Sequence, residues 1–303
     1  MCKKILLSAI LSATLFAANN YKLNPVKISD TVYQFEGVKE VPSKDNGGNM
    51  VNTYWVKGQT SWIVVDSGPS YKYAQAAYEK MQKIANLPVK YVINTHRHED
   101  HWLGNNYYKE KFGAKIYATK AQVSQYPVGI VPNYAHVISK EDYEGTKVIA
   151  VDELVTKDFI AKFDGREFQI KHFDYAVHTP EDIMVYMPDE KVLLAGDILF
   201  SERIPRITDG SVEGGLKSLE VVESYDVKVY ATGHGKYTDD TAIHQMREYF
   251  TALKETALQA IEEGKDLTSY VNSADFSDFK DRYMMEDLHK GNLSHAFREY
   301  EFY

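Results

Sequence analysis

The sequence predicts a layered α/β fold with one main domain and a helical C-terminal extension. Strand-like runs alternate with helical patterns, β-hairpins occur in both halves, and no low-complexity linker divides the chain. The chain has 303 residues, of which 44% are hydrophobic and 26% are charged. This balance is typical of a globular protein that buries a large core.

The first half of the chain begins with β structure and then alternates between helix and strand. Val89–Asn94 is a short apolar run of the kind that forms a buried strand, and a group of histidines follows it. The expected elements are, in order, a strand at 31–37, a hairpin at 51–66 with its turn at Lys57-Gly58-Gln59, a helix at 71–85, a strand at 89–94, a helix at 102–111 and a strand at 115–118.

The second half repeats this arrangement. The expected elements are a hairpin at 159–173 with its turn at Asp164-Gly165, a hairpin at 182–196 with its turn at Pro188-Asp189, a helix at 211–224, a strand at 227–231 and a long helix at 239–263. Residues 266–303 are aromatic and acidic, and they predict short helices packed on the main domain.

The first residues have the layout of a secretory signal peptide. Two lysines precede an apolar run from Ile5 to Phe16, and two alanines follow it. The run is shorter than the ~20 residues of a comfortable membrane span. An uncleaved anchor or a first core helix is the alternative. We expect residues 1–18 to be a signal peptide, and the mature chain to be secreted to the periplasm without stable membrane insertion.

Charge and cysteine content exclude several kinds of protein. The formal net charge is −8, and a surface of this sign repels phosphate backbones, so we expect a small-molecule substrate and no nucleic-acid partner. Cys2 is the only cysteine, and it precedes the apolar run, whereas the cysteine of a lipoprotein would follow it. The mature chain would then contain no disulfide, thiolate ligand or cysteine nucleophile.

Residue types that bind metals occur where predicted strands end. They lie in NTHRHEDHWLGN (94–105), HTPED (178–182), LLAGDILF (193–200) and ATGHG (231–235). Loops at strand ends allow a rigid sheet to aim several side chains at one point. The candidate metal ligands are His96, His98, Asp100, His101, His178, Asp197 and His234.

The spacing of these residues suggests two metal positions. Residues two apart in an extended stretch point the same way, so His96 and His98 can share one metal, which His178 would complete. Asp100 and His101 begin a helical turn and would face a second metal.

His234 would join that second group, and the carboxylate of Asp197 could bridge both metals. Water held between two metals loses a proton near neutral pH and becomes a nucleophile. The alternative is a polar loop without metal. The remaining histidines are interpreted as surface or core residues: His136, His172, His244, His289 and His295.

HxHxDH at a strand end, followed in order by HTPED, AGD and GHG, resembles the metallo-β-lactamase superfamily over residues 32–235. The resemblance implies a four-layer αββα sandwich over 19–238, with 239–303 as a helical tail packed on it. It assigns His96, His98 and His178 to one metal, assigns Asp100, His101 and His234 to the other, and places Asp197 between them. Asp66, in VVDSG, would support the metal loop without being a ligand.

Details within the motifs favour zinc and hydrolysis. Asp197 stands where some β-lactamases have a cysteine ligand. An aspartate at this position resembles the metal site of glyoxalase II and of the wider hydrolase branch. Phe200 replaces the tyrosine of lactonase-like members. His98 stands where the oxygen-reducing flavodiiron branch has glutamate. Residues 195–235 are most similar to exported zinc metallohydrolases found with quinoprotein and sulfur-oxidation systems.

The resemblance implies an exported dinuclear zinc hydrolase, with two Zn²⁺ per chain, that attacks an ester, thioester or lactam with a metal-bridging hydroxide. Asp100 would orient the nucleophile as well as bind metal. Sulfur dioxygenases of the family also keep HxHxDH, so an iron-dependent dioxygenase is one alternative. A metal-binding accessory protein of an exported redox system is another.

Three further residues are candidates for substrate binding. Arg203 and Arg206 closely follow Asp197 and could reach an anionic substrate, or they could pair with surface carboxylates. Trp102 flanks the histidine motif and could line the pocket or pack in the core. The glycine-rich residues 44–50 could form a flap or a simple lead-in to the hairpin.

Overall fold

Two β-sheets form the centre of the fold in the computed structural model, which describes residues 21–302. The signal peptide predicted at 1–18 lies outside the described residues. The first sheet has the strand order β1-β2-β3-β4-β5-β6-β7, and the second has the order β12-β11-β10-β9-β8. The strands are β1 Val26–Lys27, β2 Val32–Phe35, β3 Thr53–Lys57, β4 Trp62–Val65, β5 Val89–Ile93, β6 Lys115–Thr119, β7 Glu153–Val155, β8 Phe159–Phe163, β9 Arg166–Phe173, β10 Asp182–Met187, β11 Val192–Phe200 and β12 Val229–His234.

Helices cover the outer faces of both sheets. They are α1 Tyr71–Met81, α2 Glu99–Trp102, α3 Asn105–Phe112, α4 Lys120–Gln125, α5 Tyr134–Val137, α6 Lys140–Tyr143, α7 Val212–Glu223, α8 Thr241–Glu262, α9 Leu267–Ser273 and α10 Met285–Glu301, with a 3₁₀ turn at Ser277–Phe279. In the described part of the chain, no helix combines the length and the apolar character needed to cross a membrane.

Three layers of apolar packing hold the four layers of structure together. Between the sheets lie residues of both, such as Val65 and Ile93 from the first and Val185 and Leu194 from the second. A second cluster packs α1 and α3 on the outer face of the first sheet, and a third packs α7, α8 and α10 on the second sheet. The predicted αββα sandwich is therefore confirmed, and the near-continuous apolar strands reflect burial on both faces.

The direction of the strands brings several loops to one edge. β4, β5 and β6 run parallel, as do β11 and β12, so their carboxyl ends meet at the same side of the sandwich. Asp66 follows β4 directly, and its amide donates to the carbonyl of Ile93 at the end of β5. All three predicted hairpins are present, as β3–β4, β8–β9 and β10–β11.

Several predicted elements differ from those observed. The helix expected at 102–111 is two helices, α2 and α3, because the chain at Gly104 lies against the loop after β4. A Cβ on Gly104 would lie 2.2 Å from the carbonyl oxygen of Ser67. The last strand runs to His234 instead of ending at 231, and α10 has 17 residues where short helices were expected. Residues 119–155 form three short helices and β7, none of which was predicted.

Helix α10 holds the loop between β11 and α7. The Glu299 carboxylate accepts hydrogen bonds from the Ser211 hydroxyl and from the amides of Val212 and Glu213 at 2.7, 2.8 and 3.1 Å. A negative charge at a helix N-terminus is stabilising, and here it anchors α7. The side chain of Asn292 accepts a hydrogen bond from the Ile207 amide and donates one to the carbonyl of Pro205. The C-terminal helix thus fixes the loop 201–211 on one edge of the site described next.

Candidate metal centre

The carboxyl-end loops bring all seven predicted ligands together. Two groups form, and within each the potential ligand atoms lie within 4.8 Å of one another. One group is His96, His98, His178 and Asp197, and the other is Asp100, His101 and His234. All are buried except His98, which is half-buried. The residues that the sequence placed in two sets thus lie in two adjacent sets in space.

Asp197 lies at the centre of both groups. One of its oxygens is 3.0 Å from His178 Nε2 and 3.3 Å from His234 Nε2, and the other is 3.3 Å from His101 Nε2. The sequence placed Asp197 beyond the end of a strand, but it lies inside β11, where the pairing with β12 is irregular. Gly233 allows β12 to approach, since a Cβ there would lie 1.9 Å from Asp197 Oδ1.

Hydrogen bonds behind the site fix the tautomers of two histidines. The Thr95 hydroxyl donates its only proton to Asp66 at 2.8 Å, so it must accept from His96 Nδ1 at 3.0 Å. His234 Nδ1 lies 2.6 Å from the carbonyl oxygen of Met50, which can only accept. Both rings therefore carry a proton on Nδ1 and direct the lone pair of Nε2 toward the cluster. Neutral imidazole in this tautomer is a good metal ligand.

Carboxylates orient two more histidines. Asp66 accepts from His101 Nδ1 at 2.7 Å and adopts a left-handed backbone with φ of 60° at the end of β4. Asp209 accepts from His98 Nε2 at 2.8 Å, which leaves His98 Nδ1 facing His178 at 2.9 Å. Carboxylate partners of this kind fix the orientation of metal-binding imidazoles. Asp66 takes the supporting place that the sequence predicted, whereas Asp209 was not predicted.

The charges at the site favour a bound cation. Burial alone would raise the pKa of the Asp197 carboxyl, but the imidazoles of His234 and His101 outweigh it and hold that pKa well below its usual value. Burial opposes protonation of His101, yet Asp197, Asp66 and Asp100 together raise the pKa of its imidazole well above the ordinary value. The cluster thus keeps its carboxylate charged and attracts positive charge, which a metal ion can supply in place of a proton.

Three buried polar atoms also indicate that the residues fit metal ions. Among the described residues, His96 Nε2, His101 Nε2 and Asp197 Oδ1 have no hydrogen-bond partner. Buried polar atoms without partners are rare and costly, and all three belong to residues of the two ligand groups. Imidazole nitrogen and carboxylate oxygen are the donors that zinc accepts, and iron accepts them as well.

A cleft of about 360 Å³ opens over the cluster. Its floor includes His98, Asp100, Asp197 and His234, and both predicted arginines line it: Arg203 and Arg206. Its apolar walls come from the loop before β3, from α5 and from α10, through Val41, Pro42, Met50, Val137, Met284 and Leu288. Within residues 44–50, Met50 lines the cleft, and the side chain of Asn46 holds the turn by accepting from the amides of Ser43 and Gly48.

Trp102 does not line this cleft. Its indole nitrogen donates to the carbonyl of Arg97 at 2.9 Å, and its ring packs against Tyr126. It faces a separate cavity beside Asn105 and Gln122. Trp102 therefore packs in the core, which was one of the two alternatives expected from the sequence. It is the last residue of α2, and its side chain points away from the metal-binding residues.

Residues that the sequence analysis did not identify complete the wall. The buried carboxylate of Glu99 accepts from the amides of Asn133 and Tyr134 at 3.0 and 2.7 Å. These contacts tie α5 to the histidine motif and place Tyr134 in the cleft. In the sequence, the only indication of a role for Glu99 is its position next to Asp100. That position does not show which backbone amides its carboxylate would bind.

The αββα layers and the paired histidine–aspartate groups are the fold and the site that the resemblance to the metallo-β-lactamase superfamily implies. The model of the metallo-beta-lactamase superfamily matches residues 46–234, which is more than half of the chain. The chain belongs to that superfamily, and the resemblance predicted from the motifs is confirmed.

Relatives of known activity match about half of the chain. A hydroxyacylglutathione hydrolase of Brucella anthropi is 29% identical over 174 residues, which cover 55% of each chain. A hydroxyacylglutathione hydrolase of Pelagibacter ubique is 30% identical over 155 residues, covering 50% of this chain and 54% of the relative. The chain spans about half the length of the curated relatives it matches.

Solved structures share the fold at low sequence identity. A metallo-beta-lactamase from Pontibacter korlensis aligns with a TM-score of 0.59 and 18% identity, covering 76% of this chain and 99% of that one. A stereoselective inverting sec-alkylsulfatase from Pseudomonas sp. aligns with a TM-score of 0.68 and 18% identity, covering 93% of this chain and 51% of that one. At this identity the likeness concerns the fold alone.

Replacing the carboxylates behind the histidines tests the two groups separately. Asp66→Asn keeps the shape and tolerates the left-handed backbone, but it weakens the support of His101. We expect ~10–100-fold weaker binding of one metal ion. Asp209→Asn should weaken the other ion through His98. Titration with zinc against a competing chelator measures both affinities. Asp278→Asn, on the exposed 3₁₀ turn, is the control, and two affinities unchanged by Asp66→Asn and Asp209→Asn would contradict the assignment.

Proposed function

We propose that this protein is a dinuclear zinc hydrolase that cleaves a carbonyl-type bond in a small-molecule substrate. The observation that carries the proposal is the pair of ligand groups that share Asp197. In this assignment His96, His98 and His178 hold one zinc ion and Asp100, His101 and His234 hold the other. The carboxylate of Asp197 lies between the two positions.

When bound, two zinc ions would polarise the scissile carbonyl and lower the pKa of a water molecule between them. The chain's own residues position the reacting groups. Asp100 Oδ2 lies 3.6 Å from the Nε2 atoms of both His101 and His234, and Asp100 lines the cleft. It is therefore placed to bind metal and to accept a hydrogen bond that orients the attacking water. The ring of Phe200 stacks parallel to that of His234 at a centroid distance of 5.4 Å and supports this side of the site.

A thioester or ester is the substrate class that best agrees with these data. Both relatives named above are hydroxyacylglutathione hydrolases, and in the proposed assignment the carboxylate of Asp197 bridges the two ions. A lactam is also a carbonyl substrate, and the same arrangement would attack it. The choice among these bonds depends on the cleft walls rather than on the metal-binding residues.

Metal analysis combined with a hydrolysis panel tests the proposed function. We expect close to two zinc ions per purified chain, and turnover of at least one of a thioester, an ester, a lactone or a chromogenic cephalosporin. One iron and no zinc would contradict the proposal and support a sulfur dioxygenase instead. Two zinc ions with no turnover of any substrate would support a metal-binding accessory protein.

Replacing Asp197 tests the shared carboxylate. Asp197→Ala removes an oxygen from each metal position, together with a negative charge that offsets the repulsion between two cations. We expect metal content to fall toward one ion per chain and hydrolysis to be largely lost, while the fold is kept. His244→Ala, on the exposed face of α8, is the matched control. Two metal ions and undiminished turnover in Asp197→Ala would reject the bridging role.

We further propose that the protein is exported, because a signal-like segment begins the sequence. Removal of residues 1–18 would leave a mature N-terminus near the start of the sandwich. Mass spectrometry of the native protein should find that N-terminus near Ala18 or Asn19 in a periplasmic fraction. An intact Met1 on a cytoplasmic protein would contradict export.

A further inference from the structure

Arg203 is a buried cation without a countercharge in hydrogen-bonding contact. Only 4% of its surface is exposed, and it lines the cleft over the metal-binding groups. Its Nε donates to the carbonyl of Ile204 at 3.3 Å, but Nη1 has no hydrogen-bond partner among the described residues. Removing a charge from water costs several kcal/mol unless it is paired, so a buried guanidinium normally has a carboxylate against it.

Arg206 lies at the rim of the same cleft. It is exposed, and its Nε donates to the Thr208 hydroxyl at 2.9 Å. Within residues 21–302, neither arginine has a carboxylate oxygen within 4.0 Å; the adjacent Glu202 pairs with Lys39 instead, and Asp209 is in electrostatic range of Arg206 but pairs with Arg97. The alternative expected from the sequence, pairing with surface carboxylates, is therefore not observed. The carboxylates of Asp197, Asp100 and Asp287 lie within electrostatic range of Arg203, but none of them forms a hydrogen bond or an ion pair with it.

The backbone around Arg203 is held in place. The Ile204 amide donates to the carbonyl of Tyr283 at 3.1 Å, and the Tyr283 amide donates to the carbonyl of Glu202 at 3.1 Å. Asn292 of α10 accepts from the Ile207 amide at 3.2 Å, so both ends of the arginine segment are fixed. The guanidinium also packs over the ring of Phe200 at 5.5 Å. A rigid segment positions a charged group for binding before the ligand arrives.

The remaining lining of the cleft has a different character. Apolar side chains on two sides, among them Met50, Val137 and Leu288, favour contact with a hydrocarbon group. The metal-binding residues and the two arginines line the same cleft as these apolar side chains. The cleft therefore offers three distinct surfaces to one molecule: an apolar wall, a reactive floor and a fixed cation.

We propose that Arg203, assisted by Arg206, binds an oxyanion group of the substrate. The substrate is then an amphipathic anion, with a carboxylate, sulfonate or phosphate on Arg203 and an apolar part against the apolar lining of the cleft. Arginine presents paired N–H donors that match the oxygens of such a group. This inference rests on the proposed function, because it names the substrate class of the same cleft.

Titration calorimetry with molecules that cannot be hydrolysed tests the proposed oxyanion subsite without relying on turnover. The probes are hexanoate, hexanesulfonate, hexyl phosphate and neutral hexanamide, added to zinc-loaded and to metal-free protein. We expect at least one anion to bind ~10-fold or more tightly than the amide, in both forms of the protein. The ranking of the three anions identifies the oxyanion. Equal affinity for all four probes in both forms would overturn the inference.

Anions also bind zinc directly, so substitutions are needed to separate the contribution of the arginines to anion binding from that of the metal ions. Arg203→Leu should weaken binding of the preferred anion at least ~10-fold and leave hexanamide unchanged, whereas Arg203→Lys should restore part of the loss. Arg206→Ala, at an exposed position, should cause a smaller loss of about 3-fold and keeps the test valid if Arg203→Leu fails to fold. Arg298→Ala, exposed on α10, is the control. Wild-type affinities in Arg203→Leu and Arg206→Ala would reject the proposed subsite.

Kinetics distinguish this inference from the proposed hydrolase. On a thioester that carries the preferred anion, Arg206→Ala should raise KM with little change in kcat, and it should not affect the neutral analogue. Turnover of both thioesters without any effect of Arg206→Ala or Arg203→Leu would overturn the anion subsite alone. Anion binding that depends on Arg203, with no hydrolysis of any substrate, would support the subsite and contradict the hydrolase.

Discussion

The carboxylate of Asp197 is surrounded by imidazoles in a buried setting, and much of the site depends on this one arrangement. His178, His101 and His234 each place Nε2 within 3.0–3.3 Å of it. A charged group can remain so deep only if cations or strong hydrogen bonds compensate it. β11 delivers the aspartate from the middle of the second sheet, and Gly233 allows the neighbouring strand to come close enough to bring in His234.

The outer parts of the molecule keep this arrangement in register. Asp66 and Asp209 orient one histidine in each group, and they come from different layers: the end of β4 and the loop before α7. That loop also carries Arg203 and Arg206, and it is fixed by Asn292 and Glu299 of α10. The C-terminal helix therefore affects the metal site indirectly. It sets the position of the loop that orients His98 through Asp209 and that also lines the cleft.

The sequence was sufficient for the ligands but not for the cleft. HxHxDH, HTPED, AGD and GHG are short, ordered motifs at strand ends, and the parallel strands bring them to one edge, so seven residues could be predicted to meet. Asp209 and Glu99 could not be found this way, because their partners are distant in sequence and single carboxylates are common. The interruption at Gly104 depends on a tertiary contact with Ser67, and residues 119–155 have helices too short to leave a periodic pattern. The two alternatives for Trp102 could not be decided from the sequence, because the direction of its side chain depends on how α2 packs on its neighbours.

The proposed function depends most directly on two metal ions that share Asp197. Crystals of the zinc-loaded protein, measured on both sides of the zinc absorption edge, would locate the ions without reference to activity. The proposed two-ion site predicts two anomalous peaks. One should lie within bonding distance of His96, His98 and His178, the other should lie within bonding distance of Asp100, His101 and His234, and an oxygen of Asp197 should contact each. A single peak, or two peaks of which one has no contact with Asp197, would contradict it.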